Sequence, residues 1–361
     1  MASASGQTDQ PITIGILGSG QLGRMIAIAA AQLGLRAHIY APDANSSPAG
    51  DIAYATTTAA YDDGDALATF AQSIDVVTSE FENVPARVMD ILGAHCPVSP
   101  GQAALHTAQN RIREKTLARE LDIDTPRFWH VTTAAELSAA MAALAGPAIL
   151  KTCEMGYDGK GQARITPDDN ADEIFTSLGS DNLILEEMIS FDHEVSFLVA
   201  RDKDGVISHF PPAQNDHRNG ILARSMAPAP ISSDLVTAGQ AAAEKLANAV
   251  DLFGVLALES FITADGRLLF NEIAPRPHNS FHWTIEGCAT SQFTQLARLL
   301  AGLPFGGTHS YGTWQMDNLL GEDMGTVPAL TATDGVHIHL YGKAEAKTGR
   351  KMGHVTRQLL G

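Results

Sequence analysis

Apolar positions along this chain follow two alternating periods. Ile12-Thr-Ile-Gly-Ile-Leu17 is an unbroken apolar run that reads as a buried strand. Directly beyond it, Leu22, Met25, Ile26, Ala29, Ala30 and Leu33 recur at the spacing of one helix face, and Gly34 suits the residue just past the helix end. Arg36-Ala-His-Ile-Tyr40 is the next strand and completes a β-α-β unit. A third strand is expected over Ile74–Val84, with Pro85 opening a helix. Asn110–Leu121 reads as a charged amphipathic helix closed by Ile123-Asp-Thr-Pro126. Strands follow at Pro147–Thr152, Asn182–Ile189 and the alternating Phe191–Val199. Ser232 or Ser233 caps a helix whose Leu235, Val236, Ala243, Leu246, Ala247 and Val250 share one face, which is core packing. Gly335–Lys343 and Thr348–His354 form a last hairpin. Strands interleaved with helices, then a strand-rich end, predict a mixed α/β and α+β chain.

One hairpin carries chemistry. Gly254–Ile262 is apolar except for Glu259, and Leu268-Leu-Phe270 is a short strand that delivers Asn271 and Glu272 at its end, with Ala264-Asp-Gly266 as the turn between. The turn brings Glu259 alongside Glu272. Unpaired charge inside apolar strands is costly, so the two carboxylates and the amide point to a hard cation such as Mg2+ that leaves room for water and phosphate oxygens. Pro275 and Pro277 then end ladder pairing and hold Arg276, His278 and Asn279 at a stiff bend.

Several loops suit anions. Gly18-Ser-Gly-Gln-Leu-Gly23 stands between strand and helix as a dinucleotide loop does, but Ala41 and Pro42 occupy the tip of the second strand where an acid is expected, ahead of Asp43. Its amides would still hold a phosphate; alternatively the glycines serve tight packing alone. Glu80, Glu82 and Asn83 crowd the end of the third strand, where Glu82 either grips a ribose hydroxyl or ring amine or caps the following helix. Gly156-Tyr-Asp-Gly-Lys-Gly-Gln162, preceded by Lys151, is a flexible loop fit to close over polyphosphate, although it lacks the G-K-[ST] of a Walker A sequence. Glu186 and Glu187 lie where an interdomain hinge would bind adenine through backbone groups, and Glu194 sits within a strand. Arg111 is a candidate phosphate contact on an otherwise solvated helix, and His217 reads as a loop histidine on base rates. Lys343, Lys347, Arg350 and Lys351 cluster on the last hairpin, either for an anionic ligand or as edge-strand protection. His278 and His282 lack the H-E-x-x-H glutamate, so zinc is not indicated.

Composition narrows the partners. The 361 residues exceed a single core, so two to four domains are expected. A net charge of −17 argues against nucleic-acid and anionic-membrane surfaces, which makes any basic cluster notable. Cys96, Cys153 and Cys288 are odd in number with no C-x-x-C pair, which fits a reduced cytoplasm. Met1–Gln10 reads as a disordered leader, and no run is long enough to span a bilayer.

Taken in order, Gly18–Met25, Glu80-Phe-Glu-Asn83, Gly156–Gln162, Asn271–Ser280, Thr290-Ser-Gln-Phe293 and Arg350-Lys-Met-Gly-His354 resemble the ATP-grasp superfamily and, within it, the 5-(carboxyamino)imidazole ribonucleotide synthase family, from about Ile12 to His354. That resemblance implies an ATP-grasp fold behind an N-terminal Rossmann-like (pre-ATP-grasp) domain. The expected divisions are a leader at 1–10, the Rossmann-like domain at 11–110, the small lid subdomain at 111–188, the large subdomain with the metal site at 189–302, and a β-rich substrate-binding segment at 303–361. It implies ATP- and bicarbonate-dependent carboxylation of 5-aminoimidazole ribonucleotide through carboxyphosphate in purine biosynthesis, one or two Mg2+ ions, ATP as co-substrate, and a homodimer. Another carboxylate-amine ligase of the superfamily, or an NAD-binding oxidoreductase, is the alternative.

Residue by residue, the resemblance implies that Arg111, Lys151, the loop Gly156, Tyr157, Asp158, Gly159, Lys160, Gly161 and Gln162, the hinge Glu186, Glu187, Met188 and Ile189, and Glu194, His217, Asn271 and Glu272 bind ATP. Glu259 and Glu272 would hold the metal. Gly20, Gln21, Leu22, Glu82, Asn83, Tyr157, Arg276, His278, Asn279, Ser280, Lys343, Arg350 and Lys351 would surround the ribonucleotide or the bicarbonate-derived group, with Lys151, Tyr157, Asp158, Lys160 and Arg276 closest to the chemistry. Cys153-Glu-Met155 and Phe281 depart from the family pattern, which is more basic and glycine-rich before the loop and has glycine in place of Phe281.

Overall fold

A computed structural model describes residues 11–155 and 161–359 of the chain. Its N-terminal unit is built as the apolar periods require. β1 (Thr13–Leu17) leads through α1 (Gln21–Gln32) to β2 (Arg36–Ala41), followed by β3 (Ala55–Thr58), α2 (Gly64–Ala71), β4 (Val76–Ser79) and α3 (Ala86–Gly93). The strands pair in parallel in the order β3-β2-β1-β4, with β1 central and its apolar residues buried on both faces. The expected third strand is shorter than Ile74–Val84. Ser79 Oγ donates to the Phe81 carbonyl at 2.6 Å and turns the chain, so Glu80, Glu82 and Asn83 lie in a loop at the strand's carboxyl end.

α4 (Gln102–Ala108) and α5 (Arg111–Glu120) cross to the next unit; Asn110 caps α5 by accepting from Ile112 N at 3.0 Å and Arg113 N at 3.2 Å. A small antiparallel sheet follows, from β5 (Phe128–Val131), β6 (Ala148–Thr152), β7 (Gln162–Ile165) and β8 (Leu183–Glu187) in the order β5-β8-β6-β7, with α6 (Ala134–Leu144) and α7 (Ala171–Ser177) packed on it.

The large sheet runs β14-β13-β9-β11-β12-β15-β17-β16, with β10 (Ile207–His209) paired to β9. Its strands are β9 (His193–Arg201), β11 (Ala213–Arg218), β12 (Ile221–Ala227), β13 (Gly254–Ile262), β14 (Leu268–Ala274), β15 (Thr313–Leu320), β16 (Val336–Leu340) and β17 (Lys351–Leu359). The last hairpin therefore extends this sheet. α8 (Ser233–Ala249), capped by Ser232, covers one face. α9 (Thr284–Gly287) and α10 (Gln292–Leu300) lie near the other, and α11 (Val327–Thr331) packs beside β16. The face of α1 and residues of α10 share one apolar core with the large sheet, so the first and third units are joined rather than tethered. Phe281 is wholly buried in that core, edge-on to Phe210 at 6.5 Å between ring centroids. A side chain of that size contributes on the order of 3 kcal/mol by burial, which gives this departure a packing role.

One expectation needs correcting. Asn271 and Glu272 do not end their strand, because β14 continues through Ala274; Glu272 lies directly opposite Glu259, next to a register shift between Glu259 and Ser260. Pairing with β13 holds the extra residues, and only Pro275 stops it.

Candidate active site

The three sheets meet around a cavity of about 1120 Å³. From the large sheet, Glu259 and Glu272 face it as a cross-strand pair. Burial would raise the Glu272 carboxyl, but Arg111, whose Nη1 donates to Glu272 Oε2 at 2.7 Å, outweighs it and holds the group at about 2. Among the described residues Glu259 has no such arginine: burial and the Glu272 charge push it up to about 7. Its contact is His278, with Nε2 at 3.1 Å from Glu259 Oε1. Burial, and then the Arg276 charge, lower His278 to about 3, so this imidazole is neutral.

The donor set tests the metal expectation. Among the described residues no group of three or more His, Cys, Asp or Glu side chains gathers to hold an ion, so a closed zinc-type cage is not formed. Two carboxylates, one of which resists ionising beside the other, fit a hard cation that completes its shell with phosphate and water.

α5 supports this pair from below. Lys115 Nζ donates to the Asn271 carbonyl at 2.9 Å, and Glu186 sits between Lys115 at 3.5 Å and Lys151 at 2.9 Å. Burial opposes ionisation of Glu186, yet the two ammonium groups hold it at about 2. Glu114 accepts from Ile273 N at 3.1 Å, and burial and Glu272 push its carboxyl well up. Glu114 and Lys115, read from sequence as part of a solvated face, are buried. The available signal was that Arg111, Glu114, Lys115 and Ala118 share i, i+3, i+4, i+7 spacing.

At the junction with the N-terminal sheet, Arg276 grips Glu82 with Nε–Oε2 at 2.5 Å and Nη2–Oε1 at 3.3 Å. Arg276 overcomes the effect of burial and lowers the Glu82 carboxyl. The helix-cap alternative for Glu82 fails, since Pro85 precedes α3 with no side-chain cap. His217 is not a loop histidine: it lies on β11 and bonds Glu194 through Nδ1, and Glu194 outweighs burial to raise its pKa.

The glycine loop differs from expectation. Gly20 N donates to Glu80 Oε1 and Gly23 N to Glu80 Oε2 at 2.7 Å, so a carboxylate of the chain already occupies the amides expected to hold phosphate. A Cβ on Gly18, where φ is +102°, would lie 2.4 Å from Glu80 Cγ, which is why glycine stands there.

Of the remaining expected residues, Gly20, Gln21, Leu22, Asn83, Lys151, Gly161, Gln162, Asn271, Asn279 and Lys351 line the cavity. Among the described residues neither polar side-chain atom of Asn279 finds a hydrogen-bond partner. Ser280 lies beneath the wall, bonded to His278 Nδ1 at 2.8 Å. Glu187 pairs with Arg127 at 3.0 Å, Met188 is exposed and Ile189 half-buried, so the hinge side chains stay off the wall. Lys343 Nζ donates to the Lys351 carbonyl at 2.6 Å, and Arg350 to the Glu345 carbonyl at 3.0 Å; neither lines the cavity. Gly156, Tyr157, Asp158, Gly159 and Lys160 lie outside the described residues.

A small antiparallel sheet with an inward lysine, facing a large sheet with paired carboxylates behind a Rossmann-like unit, defines an ATP-grasp enzyme. Residues 116–293 match the ATP-grasp domain, 12–109 the ribonucleotide synthetase preATP-grasp domain, and 315–358 the phosphoribosylaminoimidazole carboxylase C-terminal domain. The N5-carboxyaminoimidazole ribonucleotide synthase of Brucella melitensis is 47% identical over 347 residues, covering 96% of each chain. The solved synthetase of Thermus thermophilus is 41% identical with a TM-score of 0.89, over 96% of this chain and 94% of that one. The Aspergillus clavatus synthase in complex with ADP and 5-aminoimidazole ribonucleotide is 29% identical with a TM-score of 0.88, over 97% and 94%. The chain belongs to the N5-carboxyaminoimidazole ribonucleotide synthase family.

Proposed function

We infer that this protein is an ATP-dependent carbon–nitrogen ligase that carboxylates 5-aminoimidazole ribonucleotide with bicarbonate, in purine biosynthesis. The observation that carries the reading is the half-buried Glu259–Glu272 pair, which faces the same cavity as Lys151. A bicarbonate oxygen attacks the γ-phosphorus and the bond to the ADP oxygen breaks. The exocyclic amine then attacks the carboxyl carbon of carboxyphosphate, phosphate leaves, and the nitrogen loses a proton.

Lys151, held by Glu186, places its ammonium beside the transferring phosphoryl group, and Arg111 sets the Glu272 carboxylate. Glu259 and Glu272 would hold one or two magnesium ions, which supply charge neutralisation at the terminal phosphates. Arg276, His278, Asn279 and Lys351 line the cavity, which supports a role for them in contacting the ribonucleotide or the bicarbonate-derived group. Gly156–Lys160 would supply the cover that keeps water from a short-lived intermediate. A cytoplasmic homodimer completes the reading; no helix among the described residues is long and apolar enough to cross a membrane.

Phosphate release by purified protein, with ATP, bicarbonate and aminoimidazole ribonucleotide omitted in turn, tests it. Release is expected only with all three. Release driven by formate or by another amine would assign a different carboxylate-amine ligase. The oxidoreductase alternative finds no support in the glycine loop, whose amides are bonded to Glu80.

A further inference from the structure

Gln292, the first residue of α10, is fully buried behind the cavity and has no part in the mechanism above. Its side-chain amide makes three bonds, all to the arm that follows β14. Oε1 accepts from His278 N at 2.8 Å, while Nε2 donates to the His278 carbonyl at 2.8 Å and to His282 Nδ1 at 3.1 Å. Its own backbone N–H donates to Thr284 Oγ1 at 3.1 Å. The amide cannot be turned over, because the His278 N–H requires an acceptor. An amide that grips both backbone groups of one residue does what a neighbouring strand would do. Pro275 and Pro277 deny the arm that strand.

The rings inherit this geometry. Donation into His282 Nδ1 makes Nε2 the protonated nitrogen. His278, between the Glu259 carboxylate at Nε2 and Ser280 Oγ at Nδ1, is fixed in the same tautomer. Both rings border the cavity, His278 half-buried at its wall and His282 all but covered behind it.

We propose that Gln292 is a positioning residue of the ligase, setting the backbone of His278 and the tautomer of His282 so that the His278 ring, with His282 fixed behind it, meets the ribonucleotide or the bicarbonate-derived group in one geometry. The inference rests on the reading of the site given under the proposed function. Gln292→Met keeps the volume and removes all three bonds; Gln292→Glu keeps the acceptor for His278 N–H and removes the donors. For Gln292→Met, kcat/KM for aminoimidazole ribonucleotide is expected to fall about 10- to 100-fold, as loss of an outer partner does elsewhere. The KM for ATP should stay within about twofold, because the nucleotide side of the cavity is set by other elements. Gln292→Glu should fall between Gln292→Met and the unaltered enzyme. Two-bond 1H–15N spectra should show His282 protonated at Nε2 in the unaltered protein and a tautomer mixture in Gln292→Met.

Unchanged kcat/KM, an equal rise in both KM values, or an unchanged His282 tautomer would each overturn the proposal. If Gln292→Met does not fold, Gln292→Glu decides by the same measures. If the unaltered enzyme shows no ADP formation dependent on aminoimidazole ribonucleotide, the functional reading has failed, and the tautomer spectra alone decide whether Gln292 orients His282.

Discussion

Two regions of this molecule look alike as sequence and differ as chemistry. The glycine loop before α1 and the acidic hairpin β13–β14 both carry the residue types that hold phosphate, directly or through a cation. In the loop the donors are satisfied within the chain, since Glu80 accepts from Gly20 and Gly23. In the hairpin the charges conflict, since Glu259 is driven up to about 7 by burial and by Glu272. A binding element whose groups are already paired is a piece of architecture; one whose groups oppose each other calls for a ligand.

The sharpest way to break that comparison is to remove the conflict. Glu272→Ala should reduce turnover by about three orders of magnitude, in the range seen when a transition-state electrostatic contact is lost, and added magnesium should restore it only in part. A normal rate with a normal magnesium response would leave the hairpin as structural as the loop. Lys151→Ala should likewise abolish ADP formation while circular dichroism shows the fold intact.

The next effect lies in the ion pairs beneath the hairpin. Glu186 is held at about 2, below the ordinary carboxylate value, by Lys115 and Lys151 against the effect of burial. A depressed carboxylate gives its stability above its unfolded pKa, so the contribution is present at neutral pH and disappears as pH falls from about 4.5 to about 2. Its size is about 3 kcal/mol at one pH unit per 1.4 kcal/mol. Denaturant midpoints of the unaltered protein and Glu186→Gln should converge across that window, and a difference that stays constant with pH would show the pair is not ionised as argued.

On the loop side, Glu80→Gln places an amide NH2 where one of two amide donors needs an acceptor. Stability should fall by about 1–3 kcal/mol, the cost of one buried donor left unpaired. NAD should give no thermal shift in the unaltered protein, whereas ATP with magnesium should. Stabilisation by NAD alone would reopen the loop as a ligand site and end the comparison.

How much of this was legible before the structure follows from which interactions are local. β1, α1, β2 and the β13–β14 hairpin could be read because period and turn chemistry act over a few residues; the turn Ala264-Asp-Gly266 sets the pairing from Ile262–Leu268 to Ser260–Phe270, and the register shift beyond Ser260 that brings Glu259 opposite Glu272 could not be read. The partners could not be read. Glu80 lies 57 residues from Gly23, Arg111 lies 161 from Glu272, and Glu82 lies 194 from Arg276. Each changes what its partner is available to do. Helical charge on α5 was misleading for the same reason: a solvated face and a buried polar network have one composition, and only packing against β14 separates them.

The smallest expected effect separates two neighbours that the sequence ranks together. Arg350 and Lys351 are adjacent in one basic stretch, and the resemblance places both at the substrate. In the fold Arg350 donates to the Glu345 carbonyl from an exposed turn, whereas Lys351 begins β17, is half-buried and lines the cavity. Screening by water and salt makes an exposed cation several ångströms from an anion worth a few tenths of a kcal/mol, while one at the wall of a buried site keeps more of its field. Lys351→Ala should raise the KM for aminoimidazole ribonucleotide by about tenfold, roughly 1.4 kcal/mol. Arg350→Ala should change it by less than about threefold. Equal effects would mean that the turn carrying Arg350 folds onto the substrate when it binds, which would make this hairpin a moving part of the site. The unequal effects expected here instead extend the contrast between loop and hairpin, in which a residue's type matters less than whether its neighbours already occupy it.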